Sequence, residues 1–480
     1  MRKKFSVNLI FLLAVNLLIK PLYIFGVEVP VQNTVGAHDY GLYFSIFNFT
    51  MFFQILLELG LTNLVRRDIS EYRQLAGKYF KYLLSLKIII LPIYIFVVFI
   101  IAGLIGYNKQ RYILLIYCIV IQTGTSFILF IRAMLAGYGA YKADSLLSVI
   151  DKFVLLIICG VQLYFFDRSS FTIYAFLNSY VLSVFIALAL GVILMWINGI
   201  KIVLKLRKVY LRSFIKKAMP YALITFLMSA YSRLDAVYLE RLLPDGAYQA
   251  GVYAAGFRLL DAYLMFALLF ANLGLPMLAA IGKDTASKVQ LFRFILNLLM
   301  APTIIAGVLG WFFRYEISNL IYHHTEYIWY TTIGILLLGM IPIGFSMIAG
   351  MAVLTTGKLR ELNFLFACSI LINVVLNFYL IPKYFAVGAA VSAFLVNCFI
   401  AIAQFILFYR LLKIPIDLIL SGRILVFLCI SVFIAFQVNN LGYSWEYRFG
   451  ISAALMGFFA FVLGIIPLRW LRTYFTNKVK

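Results

Sequence analysis

The chain has 480 residues, 64% of them hydrophobic and only 12% charged, with a mean hydropathy of +1.01. So much apolar surface cannot be hidden inside a water-soluble globule, so the composition excludes a soluble enzyme or binding module and predicts an all-α integral membrane protein. The net charge of +23 sits mainly in short segments between apolar runs, which suits anionic lipid head groups and gives no reason to expect nucleic acid.

Fourteen windows of about 20 apolar residues, the length a helix needs to cross roughly 30 Å of hydrocarbon, follow one another along the chain. The first, over residues 8–27, begins after "MRKK" as a signal peptide would. It lacks a small-x-small cleavage site, however, and is read as a retained helix. Windows at 42–64, 82–106, 112–131, 146–166 and 171–196 complete a first set of six. The basic, acid-free segment "KIVLKLRKVYLRSFIKK" (Lys201 to Lys217) reads as a cytoplasmic linker. A second set of six covers 218–238, 251–275, 294–313, 329–353, 363–381 and 387–409, and windows at 424–440 and 449–468 form a C-terminal pair. The expected organisation is therefore an N-lobe over 1–200, a linker over 201–217, a C-lobe over 218–410, and helices 13 and 14 with a basic tail over 411–480.

Lysine and arginine counts orient this bundle. With the N-terminus in the cytoplasm, 29 of the 41 basic residues fall in cytoplasmic segments and 7 outside, a bias that predicts both termini inside.

The two sets of six share motifs. "GAHDYGLY" (Gly36 to Tyr43) follows the first window and "GAYQAGVY" (Gly246 to Tyr253) the seventh, both GAxxxGxY. A weaker echo links the stretch from Gly139 with that from Gly357. Because windows 1 and 7 both start inside, the repeats are parallel, related by an axis along the membrane normal. Two pseudo-symmetric six-helix lobes plus two C-terminal helices are expected.

Five basic residues fall within the windows: Lys20, Lys87, Lys152, Arg233 and Arg258. Lys87 and Lys152 lie near cytoplasmic ends, where a long side chain can snorkel to the head groups. Lys20, beside Pro21, is about twelve residues in, or roughly 18 Å at 1.5 Å per residue, and must face protein or water. An ion pair with Glu58, Asp235 or Asp261 is the plainer account of it. Arg233 precedes Asp235 by two positions and Arg258 precedes Asp261 by three, so structural pairs are the plainer account there too. The functional alternative is a polar vestibule formed by these cations and acids in one helical hairpin. Glu58, Asp151, Asp235 and Asp261 are the carboxylates expected inside the membrane. Eight amides also fall there (Asn16, Asn48, Gln54, Gln122, Asn178, Asn272, Asn373 and Asn397), most of them expected as interhelical contacts.

Other chemistry is not indicated. The five cysteines are scattered singly, and His38, His323 and His324 fall in expected outer loops without metal-ligand spacing. No GxxxxGK[ST] is present, and no two of the 18 acidic residues are two apart as a DxD site requires. Neither an enzyme nor a bound cofactor or metal is expected.

"LLIKPLYIFGVEVPVQNTVGAHDYGLYFSIFN", "LLELGLTNLVRRDIS", "RLDAVYL", "GVYAAGFRLLDA" and "NVVLNFYLIPKYFAVGAA" resemble the polysaccharide biosynthesis transporters. These are the O-antigen and capsule repeat-unit flippases of the MATE-like multidrug/oligosaccharidyl-lipid/polysaccharide exporter superfamily. The resemblance implies two lobes rocking around a central cavity in a bacterial inner membrane, carrying an undecaprenyl-pyrophosphate-linked oligosaccharide outward for O-antigen, lipopolysaccharide or capsule synthesis. It implies Lys20, Arg233 and Arg258 as cavity cations for the pyrophosphate, and coupling to H+ or Na+ for which Asp235, Asp261 and Glu58 are the candidates. Asn16, Asn48, Gln54 and Asn272 are the candidate sugar contacts. Partners on this reading are the lipid-linked oligosaccharide, membrane lipids, and a polysaccharide polymerase with its chain-length machinery. A MATE-type drug or metabolite exporter is the alternative; a cationic substrate would call for an acid where the first helix carries Lys20.

Overall fold

With no water to satisfy exposed backbone groups, apolar runs of this length must close their hydrogen bonds within each segment, and they do so as helices. The computed structural model describes residues 18–59, 76–166, 168–200, 204–205, 208–281, 284–323, 325–413 and 417–466, and contains no strand among them. In chain order the helices are α1 (Leu18–Glu58), α2 (Ala76–Leu104), α3 (Lys109–Tyr138), α4 (Tyr141–Leu147), α5 (Ile150–Phe165), α6 (Ile173–Ile197), α7 (Lys208–Arg233) and α8 (Asp235–Leu242). They continue with α9 (Gly246–Ala280), α10 (Thr285–Phe312), α11 (Arg314–Ile321), α12 (Tyr327–Leu338), α13 (Met340–Leu354), α14 (Leu359–Leu412), α15 (Leu418–Asn439) and α16 (Trp445–Val462).

Two of these are each bent into two rods. In α1 the bend is at Gly36, whose φ of 84° and ψ of 164° suit a residue without a Cβ. In α14 it is at Phe385, with φ of 54° and ψ of −133°, three residues after Pro382. Ten described helical spans are long and apolar enough to cross a membrane, two of them being the bent helices α1 and α14; α7 and α16 are not among the ten.

Several local features depart from the sequence windows. The octapeptide from Gly36 is no turn: only Gly36 leaves the helix, and Ala37 already begins the second rod, so His38 lies on a helix. The seventh window divides at Leu234, which puts Arg233 at the end of α7 and Asp235 at the start of α8. Helix α7 starts at Lys208, inside the segment expected as linker.

Packing divides the chain into two compact units, Met1–Ala254 and Ala255–Lys480. In the first, the Val29–Glu58 part of α1 packs against α2, α3, α7 and α8, while α6 lies against α3 and α5. In the second, α10 packs against α12, α13 and α15, and α14 against α12 and α13. Helices α7 and α8 and the opening residues of α9, which begin the second sequence repeat, thus pack within the first unit.

Candidate functional site

The polar interior of the first unit starts from an irregularity in α1. Pro30 has no N–H to offer the carbonyl four residues earlier, and the preceding residues Ile24–Glu28 wind as a π turn in which the Val29 N–H reaches back to Ile24. This turn sets Glu28 inward at 2% exposure, where its carboxylate accepts the hydroxyls of Tyr23 and Tyr40. The sequence reading misses Glu28 because the first window stops at residue 27; the first helix in fact continues to Gly36.

Lys152 lies near the same network. Its ammonium donates to the Tyr180 hydroxyl, stands over the rings of Tyr180 and Tyr23 at 4.2 and 4.8 Å, and is 3.6 Å from the Asp151 carboxylate. The expectation of snorkelling is therefore wrong for Lys152, which is engaged by protein groups on three sides. It is wrong for Lys87 as well, whose side chain has no exposure and pairs at 3.0 Å with Glu58. The rings of Phe127 and Phe130 flank that ammonium at 5.6 Å, and the Ser126 hydroxyl also donates to Glu58.

Lys20 differs. It is half-buried on α1 and has no ion pair with a described residue. Of the other charged groups in this unit, Arg132 is bonded to Asp144 at 2.8 Å and Lys152 stands 3.6 Å from Asp151. The acids named as its plainest partners are engaged elsewhere: Glu58 with Lys87, Asp235 with the Tyr253 hydroxyl at 3.1 Å, and Asp261 with Arg258 at 3.5 Å. The first unit thus sets Lys152 beside Asp151 and over the Tyr23 ring whose hydroxyl Glu28 accepts, pairs Arg132 with Asp144, and carries Lys20 on the same helix as Glu28.

The remaining candidates are dispersed. Arg233 is half-buried in the last turn of α7, where the helix carbonyl end favours a cation. Arg258 is 8% exposed in the second unit and makes the i,i+3 pair with Asp261 that the plainer reading expected. Asn48 donates to the Phe44 carbonyl of its own helix. Gln54 is half-buried without a hydrogen bond to a described residue. Asn16 and the side chain of Asn272 lie outside the described residues. A contact that no local signal announces joins Arg111 of α3 to Glu240 of α8 at 2.6 Å, with Arg241 donating to the Ile105 carbonyl.

The family model for polysaccharide biosynthesis proteins matches residues 6–282, more than half of the chain. The chain belongs to that family. Solved structures place this family member's fold among transporters. The lipid II flippase MurJ, in an inward closed conformation, aligns over 97% of this chain and 99% of its own at a TM-score of 0.64 and 14% identity. A point mutant of the Vibrio cholerae MATE transporter VcmN covers 85% of this chain and 96% of its own, with a TM-score of 0.58 and 15% identity. A MOP-superfamily transporter from Pyrococcus furiosus, whose binding pocket is described as reversed in polarity, covers 85% and 95% at 0.59 and 16%. A search of curated proteins finds no match. This polysaccharide biosynthesis protein is thus a multi-pass membrane protein with the fold shared by MurJ and the MATE transporters.

Proposed function

We propose that the protein is a flippase that moves an undecaprenyl-pyrophosphate-linked oligosaccharide from the cytoplasmic to the periplasmic leaflet of a bacterial inner membrane, by alternating access and without catalysis. The observation that carries this reading is Lys20, a cation inside a membrane helix whose candidate acids are bonded to other groups. A pyrophosphate crossing a low-dielectric slab needs fixed positive charge, since burying it unpaired costs many kcal/mol. The lysine serves as a point charge, since Arg132 and Lys152 are largely offset by Asp144 and Asp151. Arg233 and Arg258 would meet the anion at other points of its path, Arg258 only by sharing it with Asp261. The prenyl tail can stay in lipid, so only the head group needs a polar route.

Coupling to H+ or Na+ would use an intramembrane carboxylate. Glu58 is poorly suited, because taking up a cation there would strand the buried Lys87. Glu28 is another candidate, a buried carboxylate on α1 that accepts the hydroxyls of Tyr23 and Tyr40. Asp235, held by Tyr253, and Asp261 remain further candidates. A polymerase and its chain-length machinery would take the sugar on the far side, as the O-antigen reading requires.

A MATE-type exporter is the second reading, favoured by the fold of VcmN. The charge of the first helix speaks against a cationic substrate, and the Pyrococcus furiosus transporter shows that this fold is compatible with a pocket of altered polarity. Vesicles containing the purified protein, offered either a fluorescent polyprenyl-pyrophosphate glycolipid or an organic cation, separate the two. Transfer of the glycolipid alone is expected; uptake of the cation alone would overturn the flippase reading.

A further inference from the structure

Three of the apolar spans reach their ends at one place in the first unit. The span of α3 closes at Tyr138, that formed by α4 and α5 opens at Tyr141, and that of α6 closes at Ile197. Between the first two, Gly139 at φ 90° turns the chain from α3 into α4. A cavity of about 480 Å³ lies there, walled by residues 139–143, Leu146, Leu194 and Asn198. Gly139, Ala140 and Ala143 are too small to fill it, and the Leu146 side chain that borders it is exposed.

The charge of this wall is one-sided. Lys142 is the one charged residue among the described residues that line the cavity, and its exposed side chain has no ion pair with a described residue. Asp144, two positions on, is held by Arg132 at 2.8 Å. Two helices end here, and open carbonyls at their ends would favour a cation. Several of those carbonyls are already taken: the N–H groups of Gly139 and Ala140 bond Ala136 and Leu135, and those of Asn198, Gly199 and Ile200 bond Leu194, Trp196 and Met195. The Asn198 amide gives one hydrogen to the Leu194 carbonyl at 2.7 Å and has a second to offer. A positive charge and an N–H donor beside two leucines match a phosphate joined to hydrocarbon.

We propose that this cavity holds the head group of an anionic phospholipid, its phosphate at Lys142 and Asn198 and its acyl chains along Leu146, Leu194 and the exposed Ile197. The site goes beyond the transport reading and does not depend on it. A phosphate layer begins where apolar spans stop, and the exposed Tyr138 and Trp196, at the same ends of α3 and α6, are amphipathic rings that favour that layer. A soluble phosphate would leave the leucines facing water, whereas a lipid covers them. A lipid without net charge would gain less from Lys142, which no acid on the described wall balances.

Site-resolved photolabelling tests the assignment. The full-length protein is placed in phosphatidylcholine vesicles containing a small fraction of phosphatidylglycerol with a diazirine near the glycerol end of one acyl chain, and adducts are mapped by peptide mass spectrometry. Adducts are expected on the peptides covering 139–146 and 192–198, displaced by added unlabelled phosphatidylglycerol and not by more phosphatidylcholine. Lys142→Gln should lower this labelling by about fivefold, and Lys142→Arg should keep it. Ala143→Leu, which fills the cavity without changing charge, should lower it too. Lys358→Gln, at an exposed lysine of the second unit, is expected to leave it unchanged. Labelling that resists both Lys142→Gln and Ala143→Leu, or that phosphatidylcholine displaces equally well, would overturn the site and leave only the surrounding lipid layer. Displacement by inorganic phosphate would overturn the lipid as occupant. The competition series on the unmodified protein decides the matter even where a variant fails to fold.

Discussion

Lys87 holds its ammonium 3.0 Å from the Glu58 carboxylate with no solvent exposure of its own side chain. Such a pair stabilises little over an apolar replacement, but losing one member leaves a bare charge in the bundle. Lys87→Met is therefore expected to destabilise the protein by about 3–5 kcal/mol, and Lys87→Met with Glu58→Leu to recover most of that loss. Thermal unfolding in detergent, run as a double-mutant cycle, checks the coupling.

Lys152 and Tyr180 form a second pair with a milder expectation. Tyr180→Phe removes a hydroxyl acceptor but keeps the ring under the ammonium, and Asp151 remains nearby. A loss of about 1–3 kcal/mol is expected. The same unfolding assay should show Lys152→Met with Tyr180→Phe costing less than the sum of the two singles.

Glycine positions separate steric from conformational need. Gly41→Ala drives a methyl into the α9 backbone and should be more damaging than Gly36→Ala or Gly457→Ala. Gly36→Ala meets no atom within 4 Å but must hold a φ of 84°, at a cost of about 1–2 kcal/mol. Gly457→Ala, helical and with nothing within 4 Å, should stabilise α16 by roughly 0.5–1 kcal/mol. Ranking the three by thermal unfolding tests the packing described.

Glu28→Gln removes the titratable group and keeps one acceptor oxygen, so one of the Tyr23 and Tyr40 hydroxyls must turn to accept from the amide instead. If Glu28 carries the coupling ion, glycolipid transfer in vesicles should lose its response to an imposed pH gradient and keep its downhill rate. An unchanged response would move the coupling to Asp235 or Asp261.

The helices are legible in the sequence because apolar length is a direct readout of hydrocarbon thickness, and the breaks at Gly36 and Phe385 fall in the gaps between windows. The polar interior is less so. Glu28 is hidden by a window that closes at the first acid, although Pro30 follows it and the rod continues to Gly36. Lys152 and Lys87 sit at the depth of snorkelling residues, and only their three-dimensional neighbours, Tyr180 and Glu58, reveal that they turn inward. The Arg111–Glu240 clasp spans 129 residues and carries no local pattern at all. The GAxxxGxY repeat is visible, but its two copies touching each other depends on how α1 and α9 cross, which periodicity does not encode.

Lys20 bears the central claim, and transfer of a polyprenyl-pyrophosphate glycolipid by vesicles containing Lys20→Ala and Lys20→Arg tests it most directly. A charge-assisted phosphate contact worth about 1.5–3 kcal/mol corresponds to a loss of roughly ten- to hundredfold in Lys20→Ala, with Lys20→Arg restoring much of the rate. Wild-type transfer by Lys20→Ala at equal membrane levels would contradict the account.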